Sequence, residues 1–263
     1  MNWHARYIQQ SNWTRDLRNY LFEQVGLKTA GRVLEVGCGT GAILHEIQTG
    51  SLTCTAVSHR RARGTNGGVR RKCHGLDLQP ASLMEARIHA PAASLTCGDA
   101  HSLPYPDEIF DITLCHFLLM WVSDPHRVLG EMKRVTRAGG HILALAEPDY
   151  SARVDEPAEL AKLGQWQTEA LRSQGADPSL GGRLAESFYQ AGIRLVETGA
   201  IESQRKDALT HAERDLEWAV LEADLAGRVP SQEIQRLKIL DERAWARGER
   251  ILHVPTYFAW GRV

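Results

Sequence analysis

The chain has 263 residues, 43% of them hydrophobic, and a formal net charge of −1. That is room for a large core, as one elaborated domain or a core plus a cap. The even charge balance excludes a global basic excess of the kind nucleic-acid binders use, so nucleic acid is not an expected partner.

In chain order, residues 1–30 read as a helical lead-in, with Trp13, Leu17, Tyr20, Leu21 and Val25 recurring at roughly helical spacing. Arg32 to Val36 is short, β-branched and apolar, as a central parallel strand should be. Gly37, Gly39 and Gly41 then let the backbone turn sharply and approach a ligand without Cβ interference. A helix follows from Ala42 to Gln48, so its free N-terminal amides face that ligand. Glu35, just before the turn, suits a positively charged or ribose-bearing ligand better than one carrying phosphates.

The spacing Gly37-x-Gly39-x-x-Ala42 also satisfies the relaxed dinucleotide fingerprint. Taken alone, the motif leaves S-adenosylmethionine (SAM), NAD(P) and a merely packed turn all open. A nucleotide fold places an acid about 20 residues beyond the glycines. The next apolar run, Leu52 to Val57, leads instead into Ser58-His59-Arg60-Arg61, a phosphate-reading end that favours NADP. The preferred second strand is Cys73 to Leu78, with Asp77 at its carboxyl end and Pro80 in the first turn of the next helix. This makes 51–72 an inserted basic loop, carrying Arg60, Arg61, Arg63, Arg70, Arg71 and Lys72. By composition it is a solvated loop, with contact to an anionic partner or RNA as the sharper alternative.

Ala93 to Ala100 reads as a strand ending in Gly98-Asp99-Ala100. Leu103-Pro104-Tyr105-Pro106 and a strand from Phe110 to His116 follow, then Trp121, Asp124-Pro125 and a helix around Leu129 to Val135. Arg137-Ala138-Gly139-Gly140 reads as a turn before a fifth strand, His141 to Ala146. This ordered series, over about Val33 to Glu147, resembles the class I SAM-dependent methyltransferases, of the type-11 group that includes quinone and small-molecule methylases.

The remainder supplies helices from Glu156 to about Gln174, Leu184 to Ala191, Ala212 to Ala226 and Ser231 to Arg247. Strands are expected at Ile193 to Thr198 and Thr256 to Gly261, with Gly192 as a helix C-cap. The expected fold is α/β: a Rossmann-like, seven-stranded, mainly parallel sheet with helices on both faces and a helical cap. The resemblance adds a last strand running antiparallel beside the fifth. The expected organisation is a lid over 1–30, a cofactor core over 31–150, and a cap plus closing strands over 151–263.

The resemblance implies SAM as cofactor, held by Glu35, Gly37, Cys38, Gly39 and Gly41, with Asp77 on the ribose and Leu78 on the adenine. Asp99 and Ala100 meet the adenine edge, and Tyr7, Trp13 and Arg18 cover the methionine end. His116 is the candidate base, and also a cofactor-loop residue; His4 and His253 are weaker alternatives. Glu147, Asp149, Tyr150 and Trp166 are placed near a small-molecule methyl acceptor, aromatic or lipophilic in character. Trp218, Trp245 and Tyr257 default to packing in the cap and closing strand. Competing readings are an NADP-dependent oxidoreductase and a catalytically silent SAM-binding scaffold.

The N-terminus lacks an apolar signal core, and no apolar run reaches membrane length, so the expectation is a cytoplasmic protein without membrane insertion. The five cysteines lack CxxC spacing and are expected as free thiols. Cys54, His59, Cys73 and His74 match no usual zinc spacing, so no metal is expected.

Overall fold

The computed structural model describes residues 3–49, 71–201 and 210–263. Strands β1 (Arg32–Val36), β2 (Lys72–Asp77), β3 (Ser94–Cys97), β4 (Phe110–Cys115) and β5 (Thr136–Pro148) pair in parallel in the order β3-β2-β1-β4-β5. A ribbon of β6 (Val154–Glu156) and β8 (Ile251–His253) stands apart from this sheet. Strand β7 (Arg194–Ile201) closes the edge, and β9 (Thr256–Arg262) runs antiparallel between β5 and β7. The seven-stranded, mainly parallel sheet and its antiparallel last strand are as the sequence led us to expect.

Helices α1 (Trp3–Trp13), α2 (Arg15–Gln24), α3 (Ala42–Thr49), α4 (Pro80–His89), α5 (Pro125–Val135), α6 (Ala161–Ser173), α7 (Leu184–Gln190), α8 (His211–Leu225) and α9 (Ser231–Arg247) complete the fold. Alternation along each strand feeds two cores, one per face. On one face, Val33, Leu143 and Leu145 pack with Leu21 and Phe22 of α2 and with Ile43, Leu44 and Ile47 of α3. On the other, Leu34, Val36, Ile142 and Ala144 pack with Leu129 and Met132 of α5 and with Phe188 of α7. Burial of both faces is why the strands read as unbroken apolar runs.

A third core joins Leu163 and Ala170 of α6, Trp218, Leu221 and Leu225 of α8, and Ile234 and Leu237 of α9, with Trp166 packed against it. These helices form the cap. A buried charge network ties it to the β6–β8 ribbon: Asp155 pairs with Arg153 (2.7 Å) and Arg250 (2.7 Å), and Arg250 with Asp241 (2.5 Å). Each charge there has an opposite partner, which such burial requires.

Three expectations need correction. Arg137 to Gly140 is not a turn before the strand but a bulge within β5. Thr136 already pairs with Phe110, pairing resumes at His141 and Ile112, and Gly139 takes φ +72° inside the bulge. The helix expected from Glu156 begins at Ala161, after a separate 3₁₀ turn over Ala158–Leu160. The insertion does not reach residue 72, because Lys72 opens β2 opposite Arg32, and Arg71 donates to the carbonyls of Leu27 (2.6 Å) and Ile47 (2.9 Å). The rest of that loop, with Cys54, Ser58, His59, Arg60, Arg61, Arg63 and Arg70, lies outside the described residues.

Among the described residues, no helix is long and apolar enough to cross a membrane. No three His, Cys, Asp or Glu side chains among them gather into a metal site. Cys38, Cys73, Cys97 and Cys115 are free.

Candidate cofactor and acceptor site

The glycine turn leaves β1 and is stitched to the end of β2. Both Gly37 N–H (2.7 Å) and Cys38 N–H (2.9 Å) donate to the Leu76 carbonyl. Asp77, at the last position of β2, accepts from Gly39 N–H through Oδ2 (2.8 Å) and from Gln79 N–H through Oδ1 (2.9 Å). Gly37 and Gly39 take φ +73° and +50°, and neither has space for a side chain. A Cβ at 37 would lie 2.7 Å from a Leu118 methyl, and one at 39 would lie 2.9 Å from the Tyr7 ring. The turn is therefore covered on one side by the loop after β4 and on the other by α1.

Above it opens a cavity of ≈ 700 Å³ at the carboxyl ends of the strands, between the sheet, α1, α6 and α8. That is the size and position expected of a ligand site in an open α/β sheet. Every residue placed at the cofactor from the sequence lines this cavity except Gly41, Trp13 and Arg18; Tyr150 lines it too. Leu78 is exposed at its wall, an apolar side chain with no core to enter.

Its charges are mostly negative. Glu35 is 2% exposed and lines the cavity, yet its Oε2 has no hydrogen-bond partner. Burial holds its carboxyl well above the ordinary carboxylate range, against the opposing pull of Arg18 and the Leu44 N–H. Asp99 is held the opposite way, lowered by hydrogen bonds from His101. The backbone N–H of His101 (2.9 Å) and its ring Nδ1 (2.7 Å) both meet Asp99 Oδ1.

The lead-in helix α1 docks directly on the turn. His4 Nδ1 lies 2.8 Å from Thr40 Oγ1, and the His4 ring stacks on His89 at 3.4 Å between centroids. Tyr7 closes over Gly39, and burial, then the Asp77 and Glu85 charges, push its hydroxyl up.

Several site assignments change in three dimensions. Gly41 does not face the cavity; a Cβ there would lie 3.3 Å from both Ala86 and Ala90, so it sets how closely α3 packs on α4. Trp13 lies under the Arg6 guanidinium, 4.8 Å from the ring centroid, and lines a separate pocket of ≈ 100 Å³ beside the cavity. Arg18 is 1% exposed and pairs with Glu46, anchoring α2 rather than covering a ligand.

Glu147 is the largest correction. It is fully buried and accepts backbone N–H bonds from Leu118 (3.0 Å), Leu119 (2.9 Å) and Met120 (3.2 Å). It therefore fixes the loop that lines the cavity and does not itself line it. Burial raises its pKa from 4.5 to about 7 despite those three donors. Its neighbour Asp149 caps the turn over Tyr150–Ala152. Trp166 packs against the cap core and does not line this cavity, and His253 sits on the β6–β8 ribbon.

His116 lines the cavity, with Nε2 3.0 Å from Thr14 Oγ1. Burial, then the nearby Arg18 charge, hold it well below the ordinary histidine range. It is neutral at pH 7 and a weak base, which suits a support for the cofactor loop better than a general base.

Sequence reasoning missed the cap wall of the cavity. Gln167 and Leu171 of α6 share one helix face with Gln174 at its C-cap, as do Val220 and Asp224 of α8, and all line the cavity. The available signal was polar residues interrupting faces that otherwise enter the cap core. Phe117, with φ +54°, and Leu118 were also missed, directly after the strand end at His116.

Residues 34–144 match the sequence model of a methyltransferase domain. A malonyl-[acyl-carrier protein] O-methyltransferase of Halorhodospira halophila is 31% identical over 178 residues, covering 60% of this chain and 51% of that protein. A phosphatidylethanolamine N-methyltransferase of Cereibacter sphaeroides is 36% identical over 119 residues, covering 43% and 49%. Residues 34–144 thus form a methyltransferase domain similar to the SAM-dependent type-11 group. The chain spans about half the length of the curated relatives it matches. Its fold is shared by the [4+2]-cyclase SpnF, at TM-score 0.54 and 21% identity, over 93% of this chain and 80% of that one. At that identity the likeness concerns fold alone, since one scaffold can host different reactions.

Proposed function

We propose that this methyltransferase binds SAM over the glycine turn and transfers its methyl group to a small molecule admitted beneath the cap. The observation that carries the reading is Glu35 Oε2, a buried carboxylate oxygen without a partner, lining the cavity beside the turn. Such an atom suits a ligand bearing a cationic or donor group better than a diphosphate, which brings only acceptors. It fits SAM and disfavours NADP. Ser58, Arg60 and Arg61, which motivated the NADP alternative, lie outside the described residues.

SAM supplies an electrophilic methyl on a sulfonium, already a good leaving group. The chain's residues have four tasks. In this reading Asp77 accepts ribose hydroxyls with charge-assisted bonds. Leu78, Asp99 and Ala100 frame the adenine. Tyr7 and α1 close the turn against water. Arg6, Phe117, Tyr150 and Gln167 line both the main cavity and the smaller pocket, so they mark the acceptor end. With His116 a weak base, most of the acceleration comes from holding nucleophile and methyl in line.

In this reading residues 1–30, 31–150 and 151–263 serve as lid, cofactor core and cap of a cytoplasmic enzyme. The lipophilic character of the smaller pocket, lined by Trp13, Phe117, Pro148 and Leu252, supports an aromatic or lipophilic acceptor. The relatives include both an O- and an N-methyltransferase, so likeness leaves the acceptor atom open.

Calorimetry with S-adenosylhomocysteine and with NADPH tests the cofactor. Binding of NADPH alone would overturn the reading. Incubation with methyl-labelled SAM and a metabolite extract tests the activity: label entering a small-molecule pool is expected. Cofactor binding with no transfer to any pool would instead favour the silent scaffold.

A further inference from the structure

We infer that the methyl acceptor is a basic amine, held through its nitrogen by Asp224 on the cap wall of the cavity. This rests on the methyltransferase reading and extends it to the acceptor's chemical class.

Asp224, on α8, lines the cavity and is half-buried. Its carboxylate accepts from two side-chain amides, Gln167 Nε2 of α6 on Oδ2 (2.9 Å) and Nε2 of Gln174, the C-cap of that helix, on Oδ1 (3.2 Å). It forms no ion pair among the described residues. Two neutral donors orient the group and leave its charge uncompensated. The arginines at the same end are already neutralised. Arg6 pairs with Glu217 (2.5 Å), and Arg153 with Asp155 (2.7 Å). A carboxylate or phosphate acceptor would therefore meet spent cations and an unspent anion.

A second observation points the same way. Phe117, Trp121 and Tyr150 line the cavity with Asp224, and a cation over aromatic faces is attracted by the ring quadrupole. Tyr150 is near enough to feel this carboxylate. Burial raises its hydroxyl foremost, Glu217 and Asp224 add to that, and Arg6 and Arg153 oppose it. Glu35, whose buried Oε2 lacks a partner, stands at the glycine turn and serves the cofactor. The cavity thus offers the acceptor a carboxylate at its cap end and the cofactor a buried carboxyl at the glycine turn.

The transfer balances simply. The bound ammonium gives a proton to Asp224 and on to water. The freed nitrogen lone pair forms the N–C bond to the methyl carbon, while the S–C pair returns to sulfur, leaving a neutral thioether. The N-methylammonium product carries the positive charge that the sulfonium lost.

The test uses the full chain saturated with S-adenosylhomocysteine and three probes of similar shape: phenethylamine, hydrocinnamate and hydrocinnamyl alcohol. A charge-assisted contact predicts that phenethylamine binds about 10-fold or more tighter than hydrocinnamate. Asp224→Asn should abolish that preference while leaving S-adenosylhomocysteine affinity unchanged; Asp224→Ser serves if the first variant fails to fold. Failure of the wild-type chain to bind S-adenosylhomocysteine would sink the methyltransferase reading itself. Cofactor binding without an amine preference, including binding of no probe, would overturn the amine assignment alone. So would a preference that survives the substitution.

Discussion

His4 Nδ1 and Thr40 Oγ1 meet at 2.8 Å, so the first helix is pinned to the residue at the centre of the glycine turn. The contact joins residues 36 positions apart and makes α1 part of the site wall. The same ring stacks on His89, and burial, then the His89 charge, hold His4 below its ordinary pKa.

Removing that pin should loosen the lid without unfolding the sheet. Thr40→Val keeps the shape and deletes the hydroxyl. Loss of one hydrogen bond, about 1 kcal/mol, predicts S-adenosylhomocysteine binding weaker by about 5-fold. Calorimetry reads this directly. An unchanged affinity would mean that α1 is not part of the bound state.

Asp99→Ala should weaken the cofactor further, by about 10-fold, with the melting temperature near wild type, because the side chain is exposed at the cavity and holds no core. Asp99→Asn should fall between the two. Equal affinity in all three proteins would remove Asp99 from the adenine contact.

Glu147 makes stability depend on pH. Its folded pKa, about 7, stands above the ordinary 4.5. The folded state thus favours the protonated form, and the stabilisation is complete below pH 4.5. It is lost as pH rises through 7, by about 3 kcal/mol. Glu147→Gln stays neutral throughout, so it should lack this slope, at the cost of one acceptor for the Leu118–Met120 amides. Urea unfolding of both proteins between pH 4.5 and 8 tests it. Parallel pH profiles would show that the buried carboxyl does not titrate there.

His116→Gln separates a support from a base. A general base typically contributes at least about 100-fold. Because burial and Arg18 keep His116 neutral, the substitution should cost well under about 100-fold in kcat and leave the pH profile unchanged from 6 to 8. Loss of a limb near pH 6.5 in the variant would restore His116 as the base.

Much of the cofactor half was legible because its signals are local. Strand β1, the glycine turn and α3 follow one another without a break, and each is marked by its own residues. Asp77 and Asp99 could be placed because Asp77 ends β2 and Asp99 follows the end of β3 by two residues, and parallel strands bring their carboxyl ends to one rim. The bulge at Gly139 was misread because a glycine pair signals a turn equally well inside a strand or before one.

The sequence by itself determined the fold class and the order of the core elements. Short unbroken apolar runs, breaker residues and the glycine spacing all act within a few residues of chain. Only the tertiary structure decided who faces whom. Glu147 caps a loop almost thirty positions upstream, Trp13 turns to Arg6, and Asp224 takes its orientation from Gln167 across 57 positions. Whether a carboxyl oxygen finds a partner depends on these distant contacts: Glu35 Oε2 is left without one, and Asp224 is held by two amides that carry no charge.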